Sequence, residues 1–484
     1  MVFNSTEFLL FLPIVFCLYW FVFNHHLKLQ NLFVIIASYI FYGWWNTTFL
    51  ILIAFTSFCS YISGIGINHF LDRKRSYARN ICIANISVNL LILGIFKYYN
   101  FFADSFIAAF SSLGLNLHIT TLNVILPVGI SFYTFQALSY TIDVYRGKLN
   151  ATDDILSFFA YICFFPQLVA GPIERATNLL PQFQRNRTFD YALAVEGCRQ
   201  MLWGAFKKIV IADNCAYYAD IAFNNIDDCG SSSLILGAFF FTFQIYGDFS
   251  GYSSIAIGCA KLFGISLRPN FRTPYFSRDI AEFWRRWHIS LNKWFIDYVY
   301  IPLGGSRVSK PKIARNILIV FLLSGLWHGA NWTYVCWGGY HAILFMPLIL
   351  SGNNKRYKDN FSTCTFPDIR ETIGMLSTFI LVIIGWIIFR SDSLTSVVKY
   401  LQGILSFRPN GNVWVSISDT TWLIVAILFT MIIEWKNRHL DNDFQILPSC
   451  RFLRYSIYMI TIAIVYIAFM ISIDDDKTFI YFQF

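Results

Sequence analysis

Apolar residues gather into long runs along this chain, separated by short polar stretches. Runs near 7–23, 31–45, 48–67, 81–97, 122–142, 195–217, 233–262, 316–330, 332–350, 372–389, 420–435 and 454–472 each approach the ~20 residues a helix needs to cross a bilayer. The pattern predicts an all-α polytopic membrane protein with about twelve spans. Two shorter or broken runs, 101–113 and 155–172, read as re-entrant or interfacial helices. No internal repeat and no appended soluble domain is visible, so residues 1–484 read as a single transmembrane domain. It divides into N-terminal spans (1–100), a core (122–350) and C-terminal spans (372–484).

Composition agrees. The chain has 484 residues, of which 56% are hydrophobic, 19% aromatic and only 13% charged. A soluble domain carries about 25% charged residues. Glu7, and the absence of Lys or Arg before Lys28, give the wrong start for a cleavable signal peptide, so the first span is expected to be retained. The eleven cysteines include no CxxC pair and lie mostly in apolar runs (Cys17, Cys59, Cys163, Cys259, Cys336), as small buried hydrophobes do. The net charge of +9 fits loops facing anionic lipid rather than nucleic acid.

Basic residues set the orientation. Arg73, Lys74, Arg75 and Arg79 share one loop; Arg175, Arg185 and Arg187 another; Lys355, Arg356, Lys358 and Arg370 a third. Segment 263–315 adds ten basic residues against three acidic ones. All four fall on one side of the predicted spans, which is therefore cytoplasmic. Asp227, Asp228 and the tail residues Asp474, Asp475 and Asp476 fall on the other, with both termini.

Against this apolar background a few polar residues stand out. In LLSGLWHGANW, ending at Trp332, His328 has no charged residue within ten positions on either side. A charged side chain at a helix centre costs roughly 2.5–3.5 kcal/mol on insertion scales, so an ionisable group there is a candidate site. Asn331 and His341 accompany it. Ser324, Gly325 and Gly329 permit close backbone approach and a helix break, and broken helices in membranes line cavities. The bland alternative is a buried histidine bonded to a carbonyl. Gln244, Asp248 and Tyr252 share one helix face, and Asp248 must face protein or water; pairing with an arginine explains it as well as a site does. Tyr133, Gln136, Tyr140 and Asp143 also share a face, where helix–helix hydrogen bonding is the better reading. In FWRRWHISLNKWF (Phe283–Phe295), Trp284, His288, Leu291 and Phe295 repeat at helical spacing, with Arg286, Ser290 and Lys293 on another face. That pattern predicts one amphipathic helix lying at the membrane interface.

Several chemistries are disfavoured. There is no HExxH and no Cys/His pair at ligand spacing, so no metal is expected. No P-loop occurs. Gly247–Gly251 (GDFSG) lies inside an apolar run and lacks the strand-to-helix setting of a nucleophile elbow.

The chain resembles the membrane-bound O-acyltransferases (MBOAT), in the bacterial branch that includes the alginate O-acetyltransferase membrane subunit and the D-alanyl transfer protein of teichoic acids. The matching stretches are ILPVGISFYTFQALSYTIDVYRG (Ile125–Gly147), FFPQLVAGPIER (Phe164–Arg175), DFSGYSSIAIGCAKLFGI (Asp248–Ile265), RPNFRTPYFSRDIAEFWRRWHISLNKWFIDYVYIPLGGSR (Arg268–Arg307) and the stretch LLSGLWHGANWTYVCWGGYH ending at His341. Length and intact N-terminal spans sit closer to the alginate-type subunit.

The resemblance implies a ring of tilted helices around a central tunnel, with 122–350 as the acyltransferase core. It implies acyl transfer, most simply of acetyl, from a cytoplasmic thioester (acetyl-CoA or an acyl carrier) to a surface polysaccharide. An extracytoplasmic hydrolase-like partner protein would complete the transfer, and the setting would be the bacterial inner membrane. It maps the family's near-invariant histidine onto His328 and its second histidine onto His288. A neutral imidazole could then act as base, Asn331 or a freed backbone N–H could stabilise an oxyanion, and Gln244 and Asp248 could support them. Arg285, Arg286 and Lys293 could hold donor phosphates, or simply meet lipid headgroups. D-alanyl transfer from a carrier protein is the alternative within the enzyme class. A polysaccharide or small-molecule transporter is the alternative outside it, although the matching half-helices it predicts are not seen. A scaffold without chemistry leaves His328 unexplained.

Overall fold

The computed structural model describes residues 1–115, 120–122, 126–169, 171–357, 366–409, 415–440 and 450–471. Asp474, Asp475, Asp476 and Lys358 lie outside the described residues, as do residues 123–125 and 472 of the expected spans. Among the described residues the chain is helical, with no strand. Among the described residues six helices are long and apolar enough to cross a membrane: Thr48–Phe70, Arg75–Ser111, Trp332–Leu350, Ile369–Arg390, Ile417–Asn437 and Arg451–Ile471. Thr6–Val22 and Leu27–Gly43 are apolar but shorter. The other expected crossings overlap helices that are more polar, Ile130–Tyr145 among them: Asp143, Lys207, Lys208, Asp213 and Asp248 are buried in these helices.

One expected boundary is absent. The run at 101–113 is not a separate re-entrant element. It continues the preceding helix through a widened turn at Gly94–Tyr98, giving a single element of 37 residues, Arg75–Ser111. No proline interrupts this stretch, and a widened turn absorbs an extra residue without ending a helix. The run at 155–172 is broken as its pattern suggests: Ile155–Cys163, capped by Asp154, gives way to the short helix Phe165–Leu168.

The chain forms two compact units. The first comprises Met1–Gly197 with Ala256–Arg268, the second Cys198–Ile255 with Pro269–Phe484. In the first, Thr48–Phe70, Arg75–Leu93 and Ile130–Tyr145 pack on one another. Between them Asn85 Nδ2 donates to Thr141 Oγ1 at 2.7 Å. Tyr133, Gln136, Tyr140 and Asp143 are all buried in the Ile130–Tyr145 helix, where Tyr140 Oη accepts from the Thr152 N–H. The buried Arg187 donates to Gln30 Oε1 and Asn31 Oδ1, tying the 184–190 loop to the Leu27–Gly43 helix.

In the second unit the closest pair is Lys310–His328 with Trp332–Leu350. Two glycines set that closeness. A Cβ on Gly325 would lie 2.1 Å from the Tyr334 carbonyl oxygen, and one on Gly338 would lie 2.2 Å from that of Phe321. Small residues let membrane helices approach backbone to backbone, and here only hydrogen fits. Ile369–Arg390 then packs against Trp332–Leu350 and buries Val382, Trp386 and Phe389.

The adjacent glycines should therefore differ sharply. At Gly339 the nearest atom to an added Cβ is Leu322 Cδ2, an ordinary 3.8 Å away. Gly338→Ala is expected to cost about 3 kcal/mol or more, because backbone cannot yield as a side chain does. Gly339→Ala is expected to be near neutral. Thermal unfolding of the two purified variants, followed by intrinsic tryptophan fluorescence, checks this; equal melting temperatures would refute the close approach.

Candidate functional site

His328 is the last residue of the Lys310–His328 helix and is 4% exposed. The helix stops there because Gly329 turns extended and Asn331 starts the next helix. Asn331 Oδ1 accepts the Thr333 N–H at 3.1 Å, and its Nδ2 donates to the Asp392 carbonyl at 3.0 Å. Both bonds of the half-buried Asn331 thus hold chain ends together. The break that Gly325 and Gly329 suggested is real, and it leaves His328 at a helix C-terminus.

His288 is 1% exposed and sits at the junction of two short helices, Ile280–Arg286 and Ile289–Phe295. The single amphipathic helix expected over 283–295 does not form. His288 adopts φ 43°, ψ 53°, the left-handed region, which breaks the helical run. Asn292 Nδ2 donates to the carbonyls of Trp284 and Trp287, both at 2.6 Å, closing the end of the first helix. Nor does the segment lie on a surface. Trp284, Leu291 and Phe295 are buried, but so are Arg286 and Ser290; Lys293 is exposed.

The kink brings the two histidines together. Their ring centroids are 6.4 Å apart. Aromatic edges and faces surround them: Phe249 at 4.6 Å from His288, and Trp327, Trp337 and Phe389 at 5.0, 5.2 and 5.3 Å from His328. His341, also buried, lies one turn beyond Trp337 on the same helix. Its ring meets Trp337 at 5.0 Å and Trp284 at 4.9 Å. Asn270 anchors the junction: its backbone carbonyl accepts the Ile289 N–H, and its side chain meets both His288 and Ser290.

The charged candidates are placed differently. Arg286 is buried and paired to Glu282 at 2.5 Å. Glu282 also binds Arg278, which reaches Glu371 at 2.7 Å. Arg285 donates to the Asn354 carbonyl at 2.6 Å. Asp248 pairs with a lysine, not an arginine: Lys208 Nζ lies 2.7 Å from Asp248 and 2.8 Å from Asp213, all three buried. Tyr252, one turn on, places its ring under the same ammonium at 5.4 Å. Gln244 is buried on the same helix, and among the described residues its Oε1 has no hydrogen-bond partner. No group of three His, Cys, Asp or Glu side chains among the described residues is arranged to hold a metal ion.

Two members of this arrangement escaped the sequence reading. Lys208 lies in a widened turn, Phe206–Ala212, that directs both Lys207 and Lys208 inward; its signal was a lysine pair inside an otherwise apolar run. Asn270 precedes His288 by 18 residues, and no spacing rule links them.

Two buried imidazoles ringed by aromatic side chains are groups of the kind that perform acid–base chemistry. The comparisons with known proteins say which class of membrane protein carries this arrangement. The chain belongs to the membrane-bound O-acyltransferase family, enzymes that transfer acyl groups. The family model matches residues 151–356. The chain is 41% identical to the probable alginate O-acetylase AlgI of Pseudomonas aeruginosa over 408 residues, covering 84% of this chain and 75% of that protein. It is 34% identical to the peptidoglycan O-acetyltransferase of Helicobacter pylori over 438 residues (84% and 80%). To the teichoic acid D-alanyltransferase of Bacillus subtilis it is 29% identical over 279 residues (55% and 69%).

His288 lies between the spans, and burial pushes its imidazole down from 6.5 to about 3. Between those values the unfolded chain binds a proton that the folded chain does not. The His288 contribution to stability is therefore complete above pH 6.5 and is lost as pH falls toward 3. The melting temperature of the wild type is expected to drop between pH 7 and pH 4.5 more steeply than that of His288→Gln. Parallel pH profiles would contradict the assignment.

Proposed function

We propose that this protein moves an acetyl group from a cytoplasmic thioester such as acetyl-CoA across the membrane for O-acetylation of a cell-surface polysaccharide. The observation that carries the reading is the buried pair His288 and His328, found in a chain 41% identical to proteins named alginate O-acetylases. Acetyl is favoured over D-alanyl because the O-acetylase likeness spans 84% of the chain, against 55% for the D-alanyltransferase.

In this reading His328 acts as general base, with His288 beside it. The imidazole takes the proton of the attacking hydroxyl, the oxygen joins the thioester carbonyl carbon, and the C–S bond breaks. The thiolate leaves and receives that proton, so the step balances without further reactants. A positioned base of this kind contributes typically 10²–10⁴-fold. The thioester is already activated, and the protein's remaining tasks are positioning and exclusion of water.

The same reading makes residues 1–484 one acyltransferase domain in the inner membrane, with about twelve crossings, a ring of tilted helices and a central tunnel. Both termini face outward. Arg285 and Lys293 are the better candidates for donor phosphates, because Arg286 is already neutralised by Glu282. An extracytoplasmic hydrolase-like partner would hand the acetyl group to the polymer.

Membranes carrying the wild type are expected to move radiolabel from acetyl-CoA into surface polymer. His328→Ala, at matched expression, is expected to lower that transfer at least about 100-fold. Equal labelling would remove His328 from the chemistry, and label from a D-alanyl carrier alone would replace the donor.

A further inference from the structure

The hydrogen bonds at the helix junction determine more than position. Asn270 is 1% exposed, and its Oδ1 is approached by three groups: the Ser290 backbone N–H at 3.3 Å, Ser290 Oγ at 2.9 Å and His288 Nδ1 at 3.1 Å. A backbone N–H can only donate, so the side-chain atom facing it is the amide oxygen. That oxygen can only accept. His288 must therefore carry its proton on Nδ1, and in a neutral imidazole the lone pair is then on Nε2.

This orientation has a cost. Asn270 Nδ2 is buried without a hydrogen-bond partner among the described residues. A buried unsatisfied amide is unfavourable, so the junction retains the accepting oxygen against the preference of the amide itself. The Asn270 backbone carbonyl adds a further tie, accepting the Ile289 N–H at 2.9 Å. With Phe249 packed edge-on against the ring, the imidazole has little freedom to rotate.

We propose that Asn270 is a positioning residue that locks His288 in the Nδ1–H tautomer, so that His288 enters acyl transfer as a hydrogen-bond acceptor at Nε2. This rests on the acyltransferase role proposed above for the histidine pair. Asn270 touches neither substrate nor reacting atoms; it acts through His288. The dependence is analogous to the carboxylate that orients a catalytic histidine in hydrolases, with a neutral amide oxygen in its place. A neutral partner fixes the tautomer without favouring the imidazolium.

The test has a spectroscopic arm and a kinetic arm on the full-length protein in membranes. In the first, ¹⁵N-histidine is incorporated and the His288 signals are assigned by their loss in His288→Gln. The wild type is expected to show a protonated Nδ1 and an unprotonated Nε2; Asn270→Asp, which keeps an accepting oxygen, should keep Nδ1 protonated, and Asn270→Ala should give a mixture. An Nε2–H tautomer in the wild type would overturn the proposal, and this arm stands even where a variant folds poorly.

In the second arm, Asn270→Ala is expected to lower kcat for acetyl transfer about 100-fold with KM little changed. On a His288→Gln background the same substitution should have no further effect. An equal loss on both backgrounds would make Asn270 merely structural and overturn the proposal. Absence of acetyl transfer by the wild type would instead refute the functional reading, and the spectroscopic arm would still decide the tautomer.

Discussion

The contact of backbone with backbone at Gly325 and Gly338 determines where His328 sits. It presses the helix ending in His328 against the helix carrying Trp337 and His341. Because no side chain separates the two, the residues flanking the contact meet directly. His328 meets the edge of Trp337, and Trp337 meets His341 one turn further on. The third helix, Ile369–Arg390, closes the group with Phe389 against His328. In lipid there is little hydrophobic drive between helices, so close packing of this kind is a main source of association. Stability and site geometry therefore depend on the same few atoms.

Two buried clusters in the same unit pair ions of opposite sign. Lys208 sits between Asp213 and Asp248, while Glu282 sits between Arg278 and Arg286. Buried ion pairs contribute little net stability compared with well-packed apolar residues. Removing one partner, however, leaves an uncompensated charge. The two clusters therefore act as latches that tolerate no partial version of themselves. The histidines at the centre meet aromatic rings instead, and burial holds His288 uncharged. An uncharged imidazole keeps the lone pair that proton abstraction requires.

Much of this could be read from the sequence, and the limits have physical causes. Apolar runs located most helices closely: the run at 332–350 coincides with Trp332–Leu350. His328 was visible because an ionisable residue in an apolar stretch is conspicuous without any structure. The joining of 81–97 to 101–113 was not visible, because a widened turn leaves no mark in a hydropathy pattern. The pairing of Asp248 was half legible: a partner was required, but the pattern could not choose Lys208, forty residues earlier, over an arginine. Asn331 read as a candidate oxyanion group, and the structure shows an amide engaged in capping a helix and holding the Asp392 carbonyl. Helix caps and site amides use the same residue type, so composition alone does not separate them.

The amphipathic pattern at 283–295 misled for a more instructive reason. Its periodicity is genuine on both sides of His288, yet the chain reverses its local hand at that residue. A left-handed conformation at a residue with a β-carbon costs of order 1–3 kcal/mol. Glycine would relieve that strain, yet the position holds a histidine, whose ring is gripped by Asn270 while Asn292 closes the helix behind it. On an uninterrupted helix the ring would stay in register with Trp284 and Leu291. The kink frees it from that stripe, and in the folded unit it lies 6.4 Å from His328. The local strain is thus coupled to the one geometric relation that the proposed chemistry needs, and the surrounding hydrogen bonds are what make it stable.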